Sequence, residues 1–361
     1  MNETITTREQ KQRKRIEIPR LAVSKRFGMY KDEEKKTVRD ADVKKNATIE
    51  ALINAWSKFY SVWKCGCLVP YLDYEYAQSL IRGIEYTVRD VHDFSYILAA
   101  LPKQDHHGSA GQFLSALINN GKESNYLICT EAFGKKIDDI GHMNEKQIIV
   151  QGNGGNSAGF RMKSGELIIE GDAEAQIGRM MSGGTIVVKK FADWRIGEEM
   201  SGGTIRIEGA YESELWHGIP VTNIGREPKE VGYKMKGGRI LISAGVEDYA
   251  GSHMEGGELI IKERAGARLG LGVLGGSIHV MGNAGLGIGH NMEGGSITVE
   301  GGIGPTGPLF GIGLYERLKS VGDGMKGGEI HINGEWNYNW FIPGDVIHGK
   351  IYHKGKLIVD K

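Results

Sequence analysis

Apolar positions in the second half of the chain recur in one unit, apolar-Gly-x-x-Met-x-Gly-Gly-x-Ile-x-Val. Its first glycine falls at Gly159, Gly178, Gly197, Gly232, Gly251, Gly270, Gly289 and Gly322; most intervals are 19 residues and two are longer, at 35 and 33. A degenerate earlier unit begins at Gly141. The third residue after the glycine is Met162, Met181, Met200, Met235, Met254, Val273, Met292 or Met325. Two apolar columns follow the Gly-Gly pair. One runs Leu167, Ile186, Ile205, Ile240, Leu259, Ile278, Ile297, Ile330; the other runs Ile169, Val188, Ile207, Ile242, Ile261, Val280, Val299, Ile332. The residue between them varies freely, from Arg206 to His279 and Thr298. Apolar-variable-apolar is the period-two signature of a strand with one buried face. A unit this short holds no crossover helix, which argues against Rossmann and TIM architectures. It buries its apolar columns only by stacking on copies of itself. The pattern predicts a right-handed parallel β-helix of about eight coils over roughly 140–335, with Gly-Gly placed at a corner of positive φ.

The first half has a different pattern. Residues 1–45 are polar and read as a disordered tail. A helix is predicted over 46–63, where Ile49, Leu52, Ile53, Trp56, Phe59, Tyr60 and Trp63 share a face and Asn46 is the candidate cap. Further helices are predicted from Val91 to Leu101 and from Ala110 to Asn119, with a strand at Tyr126 to Cys129. The organisation read from this is a helical domain at 46–105, a lead-in cap at 106–140, the β-helix at 141–335 and a C-terminal cap at 336–361. In the last of these Trp336, Tyr338 and Trp340 alternate as if on one strand face.

Composition changes this picture little. There are 55 Gly against 8 Pro, and 45 basic against 45 acidic residues. Zero net charge gives no global field toward nucleic acid, and the cluster Lys11, Arg13, Lys14, Arg15 reads as a solvated tail. No apolar run is long enough for a transmembrane helix, no N-terminal stretch resembles a signal peptide, and three cysteines make no disulfide framework. The expectation is a cytoplasmic protein with no membrane and no nucleic-acid partner.

Candidate chemistry is sparse. The Met column has the softness to bind Cu(I) but equally suits a repeated core position. Cys65 and Cys67 supply two thiols, short of a tetrahedral zinc site, with His106 and His107 distant in sequence. His279 and His331 share the variable column, but Thr298 separates them by roughly 10 Å of strand spacing. The run GNAGLGIGH at 282–290 has nucleotide-loop spacings but precedes no helix. No catalytic, cofactor-binding or metal residue is therefore assigned.

The Met-x-Gly-Gly-x-Ile-x-Val units, together with HHGSAGQFLSALINNGKESNYLI from His106 to Ile128, resemble the Gly-motif (GXGXG) β-helix that closes the glutamate synthase large subunit. They are similar also to the C subunit of formylmethanofuran dehydrogenase and of the formyltransferase/hydrolase complex. The resemblance spans about 106–335. It implies a structural domain that contacts catalytic domains without supplying catalytic residues. The chain departs from a whole glutamate synthase: residue 2 is Asn where the family's nucleophilic Cys would stand, and neither an FMN barrel nor an iron–sulfur cysteine cluster is present. The expected function is a non-catalytic scaffold or interaction subunit with no cofactor. Alternatives are a subunit completing an amido- or formyl-transfer complex, or a carbohydrate-active β-helix. Protein partners or self-association are expected through the two long intervals, at 210–230 and 301–320.

Overall fold

In a computed structural model the described residues are 47–64, 73–100, 107–131, 136–209, 215–216, 219–220, 227–304, 321–336 and 345–361. Helices α1 (Ala47–Lys64), α2 (Asp73–Ile81), α3 (Val88–Ala100) and α4 (His107–Asn120) come first. Strands β1 (Asn125–Cys129), β2 (Gln147–Gln151), β3 (Glu166–Ile169), β4 (Thr185–Val188) and β5 (Thr204–Ile207) follow. A two-stranded ribbon of β6 (Leu215–Trp216) and β7 (Ile219–Pro220) interrupts the series. It resumes with β8 (Arg239–Ile242), β9 (Glu258–Ile261), β10 (Ser277–Val280), β11 (Ser296–Val299), β12 (Glu329–Ile332), β13 (Lys350–His353) and β14 (Lys356–Asp360).

The twelve strands other than the ribbon form one sheet in chain order, each parallel to the last except β14. The protein is a parallel β-solenoid of about ten turns. Register follows the repeat: Ile186 pairs with Ile205, Ile205 with Ile240, Ile278 with Ile297 and Ile297 with Ile330. Both apolar columns, the Met column and the residue before each first glycine are buried to within 1% exposure, and with a further buried column through Ala173, Ala192, Val246, Ala265 and Ala284 they form the solenoid core. The outward column is more exposed, although Val187 and Ile260 lie under neighbouring side chains at 5% and 7%. The solenoid also extends one strand beyond each end of the repeat. Strand β1, read as lead-in, pairs in parallel with β2, and β13, read as cap, pairs in parallel with β12. Neither carries the Gly-Gly signature in front of it, so the repeat does not place them in the solenoid, although the strand at Tyr126 to Cys129 matches β1.

The two glycines of each pair serve different purposes. Gly257 has φ +87°, the corner the sequence suggested. Gly256 has no positive φ; a Cβ there would stand 2.6 Å from the Lys236 carbonyl of the preceding coil. One glycine sets the bend and the other lets successive coils approach.

The solenoid ends in a β13–β14 hairpin. Lys354 and Gly355 both have positive φ, as a type I′ turn requires. The pairing slips by one residue beyond Ile351, leaving Ile358 as a bulge. A bulge flanked by Lys356 and Lys361 discourages further strand addition at that edge. Trp336 is buried but lies in no strand; Tyr338 and Trp340 are outside the described residues, as is Asn46.

The helices share one aromatic core. Phe113 of α4 meets Trp56 and Phe59 of α1 at 5.4 Å and Phe94 of α3 at 5.8 Å between ring centroids. Helix α4, read as part of the lead-in, thus packs into the helical layer itself. A reciprocal cap starts α3: Thr87 N–H donates to Asp90 Oδ2 at 2.9 Å and Asp90 N–H to Thr87 Oγ1 at 3.3 Å. Helix α2 has no counterpart in the sequence reading. Its nine residues bury only Tyr74, Ala77 and Ile81 as apolar anchors, too few to establish a period.

The inside–outside assignment has a direct test. Ile278→Asp places an unpaired carboxylate in the core and should cost several kcal/mol. His279→Asp, one residue on and half-exposed, should cost under about 1 kcal/mol. Urea unfolding of both variants checks this, and equal losses would contradict the ladder assignment.

Candidate functional site

The sequence candidates do not converge. Cys65, Cys67 and His106 lie outside the described residues. His107 opens α4. Cys129 is a buried free thiol at the end of β1. His279 and His331 occupy one outward column with Thr298 between them, as the spacing implied. Each faces its own carboxylate: His279 Nε2 is 2.8 Å from Glu300 Oε1, and His331 Nε2 is 3.3 Å from Glu329 Oε2. The His331 ring also stacks on Tyr352 at 4.5 Å. Hydrogen bonds from Asn333 and then His279 hold the Glu300 carboxyl below its usual value. Among the described residues no three His, Cys, Asp or Glu side chains are grouped to hold a metal ion. The 282–290 run leads into strand β11, not a helix, and Asn283 Oδ1 accepts the Gly302 N–H of the next coil at 2.8 Å.

Two polar features were not anticipated. The first is a wall built by the turn around each first glycine. Positive φ recurs two residues before it, at it and two residues after it, as at Arg195, Gly197 and Glu199. The residue immediately after the glycine therefore stacks from coil to coil: His142, Phe160, Arg179, Glu198, Tyr233, Ser252, Leu271, His290, Asp323. Several neighbours in this column touch. His142 meets Phe160 at 5.1 Å, Arg179 lies over Phe160 at 5.8 Å and 3.7 Å from Glu198, and His290 lies 3.3 Å from Asp323. Glu198, only 5% exposed, also accepts from Gln176 at 3.1 Å and faces Arg195 at 3.6 Å. Arg195 lies over the Trp194 ring at 4.8 Å and pairs with Glu230 at 2.6 Å. Position by position these residues look random, so the repeat alone did not expose them.

The second feature is the seam where α2 and α4 meet the first coil. Gln112, Ser115 and Asn119 line one side of α4, at spacings of three and four. That stripe is a sequence signal that could have located the seam. Ser115 Oγ donates to the Gly111 carbonyl at 2.6 Å and accepts the N–H groups of Gly141 at 2.9 Å and His142 at 3.1 Å. Gln112 Nε2 donates to Asp139 Oδ2 at 3.0 Å. Asn119 Nδ2 donates to Tyr74 Oη at 2.6 Å and to the His142 carbonyl at 3.0 Å. The Tyr74 and His142 rings lie 4.8 Å apart. Asp73 Oδ1, Gln112 Oε1, Asn119 Oδ1 and His142 Nδ1 are buried and make no hydrogen bond among the described residues. Burial raises the Asp139 carboxyl to about 6, with Asp138 and Asp73 adding to the rise against the Gln112 hydrogen bond. Burial, and then Arg161, lowers His142 to about 4. Burial also raises Asp73. The polar atoms here join elements, and among the described residues no nucleophile is held against a base in the arrangement of an acyl- or phosphoryl-transfer site.

No protein-family model matches the chain, and no characterised protein matches it in a search of curated sequences. Among the described residues no helix is long and apolar enough to cross a membrane.

The seam makes a local prediction. Ser115→Ala removes the acceptor of the Gly141 N–H, which has no other acceptor among the described residues. The loss should be about 2–3 kcal/mol, since a buried donor is left unpaired. Ser157→Ala, whose hydroxyl makes only a 3.4 Å contact to Gln176, should change stability by less than ~0.5 kcal/mol. Thermal unfolding of the two variants distinguishes a structural hydroxyl from a dispensable one.

Proposed function

We propose that the chain is a non-catalytic scaffold or interaction subunit of the glutamate-synthase β-helix type, holding catalytic partners in place. The observation that carries this reading is the repeat itself. The Met-x-Gly-Gly-x-Ile-x-Val unit runs in register through the solenoid, and its inward positions are all spent on a dry aliphatic and thioether core. Function then falls to the outer faces and the loops. The outward column reads Leu127, Ile149, Ile168, Val187, Arg206, Leu241, Ile260, His279, Thr298, His331, Tyr352. A carbohydrate-active β-helix would be expected to stack acid and nucleophile carboxylates on a strand face; this column holds none, which favours the scaffold reading over that alternative. The proposed setting is the cytoplasm, and the proposed contacts are with proteins.

The two long intervals are the proposed contact points. The first leaves the coil after Gly209 and rejoins it before Pro228; the second leaves after Gly304 and rejoins at Val321. Both follow an inward strand and precede the next first glycine, four coils apart, so their bases are separated by roughly 19 Å at ~4.8 Å per coil. Insertions in repeat proteins usually map to the binding face.

Two measurements test the proposal. Purification at native abundance should yield a stoichiometric complex, identified by mass spectrometry, that is lost when 210–226 and 305–320 are each replaced by a short turn. Survival of the complex with a folded solenoid would remove the insertions as the interface. The isolated chain should hydrolyse no glutamine and carry no flavin absorbance. Glutamine hydrolysis abolished by Cys65→Ser or Cys67→Ser would overturn the non-catalytic reading.

A further inference from the structure

We propose that Asp139 docks as the neutral acid and donates its proton to Gln112 Oε1, so that a two-bond carboxyl–amide clasp joins the first coil to α4 and loses one bond when that proton leaves. Half of the clasp is visible: Gln112 Nε2 donates to Asp139 Oδ2 at 3.0 Å. The other end of the same amide, Gln112 Oε1, is buried and accepts no hydrogen bond among the described residues. An amide set against a carboxylate can use only its N–H group, because neither carboxylate oxygen has a hydrogen to give back. One proton on the carboxyl supplies that hydrogen and pairs an acceptor otherwise buried alone. The backbone beside the pair is held on both sides. Asp139 N–H donates to the Asn156 carbonyl at 2.8 Å, and Ser115 Oγ lies 3.1 Å from the Asp139 carbonyl. Asp139 is itself partly exposed, which leaves the proton a route to solvent.

The surroundings favour the neutral form. The charged groups that act on the Asp139 carboxyl are both acids, Asp138 on the same turn and Asp73 at the start of α2. Asp138 is engaged elsewhere, its Oδ1 accepting from Asn156 N–H at 2.7 Å and Asn156 Nδ2 at 3.2 Å. Asp73 is 6% exposed, its Oδ1 has no partner among the described residues, and burial raises its carboxyl as well. The groups facing Asp139 from α4, Gln112 and Ser115, are neutral. Burial carries Asp139 from 3.8 to about 6 against the Gln112 N–H, which favours the carboxylate, with Asp138 and Asp73 adding to the rise. A raised acid binds more protons docked than released. The clasp is therefore at full strength below 3.8 and weakens as pH rises through about 6. Asp73 acts in the same direction. His142, three residues on, acts in the opposite one, since burial and then Arg161 lower it to about 4. The pH dependence of docking as a whole mixes all three groups, and only Asp139 itself reports the clasp.

The first measurement follows the Asp139 carboxyl carbon by NMR in the full-length chain carrying isotope-labelled aspartate, the resonance being identified by its loss in Asp139→Asn. It should titrate near 6, and a midpoint at the ordinary 3.8 would overturn the clasp. The second follows opening of α4 by amide hydrogen exchange, corrected for intrinsic rates and referenced to β9–β11, in His142→Gln, which removes the opposing base. Between pH 5 and pH 7 opening should rise about tenfold from Asp139 alone, with Asp73 adding to it. Adding Asp139→Asn places a fixed N–H where the proton stood. It should remove most of this rise, leaving the share of Asp73, and hold opening at pH 7 below that of the His142→Gln parent. Adding Asp139→Leu instead, similar in size but with no hydrogen to give, should raise opening at both pH values to roughly tenfold or more above the Asn variant. Asn and Leu variants that open alike would mean a buried acid with no bond to Gln112 Oε1, and would overturn the clasp. So would a pH slope that Asp139→Asn leaves unchanged.

Discussion

Everything in this molecule depends on one spacing, the ~4.8 Å at which parallel backbones hydrogen-bond in a sheet. A coil that must lie that close to its neighbours over its whole circuit leaves no room for side chains where it bends against them. Gly256 shows the limit, because a single added carbon would strike the carbonyl of the coil beneath. The same closeness brings like residues into register, so each inward position becomes a ladder and each ladder must be filled by side chains that pack on their own kind. Ile, Val and Leu do so as rigid branched shapes. Met does so by bending, as where the Met235 methyl group closes on Gly257 of the following coil. Stability in such an array is a sum of coil-on-coil contacts, so the ends are its weak points. The chain treats them differently: an aromatic-cored layer of helices covers the first coil, and a bulged hairpin closes the last.

This logic explains what the sequence reveals and what it hides. Ladders are legible because the constraint repeats. The Gly-Gly pair and the Met and Ile columns can be read by eye, and the register of Ile186 on Ile205 follows at once. Strands β1 and β13 obey the same pairing but lack the glycine corner, so the repeat does not place them in the solenoid, although the strand at Tyr126 to Cys129 is itself legible. Helix α2 fails for the opposite reason. Its identity comes from what it packs against, and Tyr74, Ala77 and Ile81 acquire meaning only once α4 is in place. The polar wall from His142 to Asp323 was hidden for a subtler reason. A core column is conspicuous because its members are alike, whereas a polar column works by complementarity between neighbours. Arg179 beside Glu198 beside Arg195 reads as noise in an alignment of coils and as a network in space.

The seam and the solenoid core follow different energetic rules, and that difference bears on what the molecule is suited to do. The core is dry and repetitive over about ten turns. The seam joins two unlike layers and needs directional bonds to fix their orientation. Ser115 supplies several through one hydroxyl, at the cost of burying polar atoms such as Asn119 Oδ1 and His142 Nδ1 that find no partner among the described residues. Unpaired buried groups weaken an interface, but ionisable ones also make it depend on pH. An acid alone at this position would loosen the helical layer in alkali, and a base alone would loosen it in acid. Asp139 and His142 stand three residues apart on one turn, and burial acts on them in opposite directions, raising the acid and lowering the base.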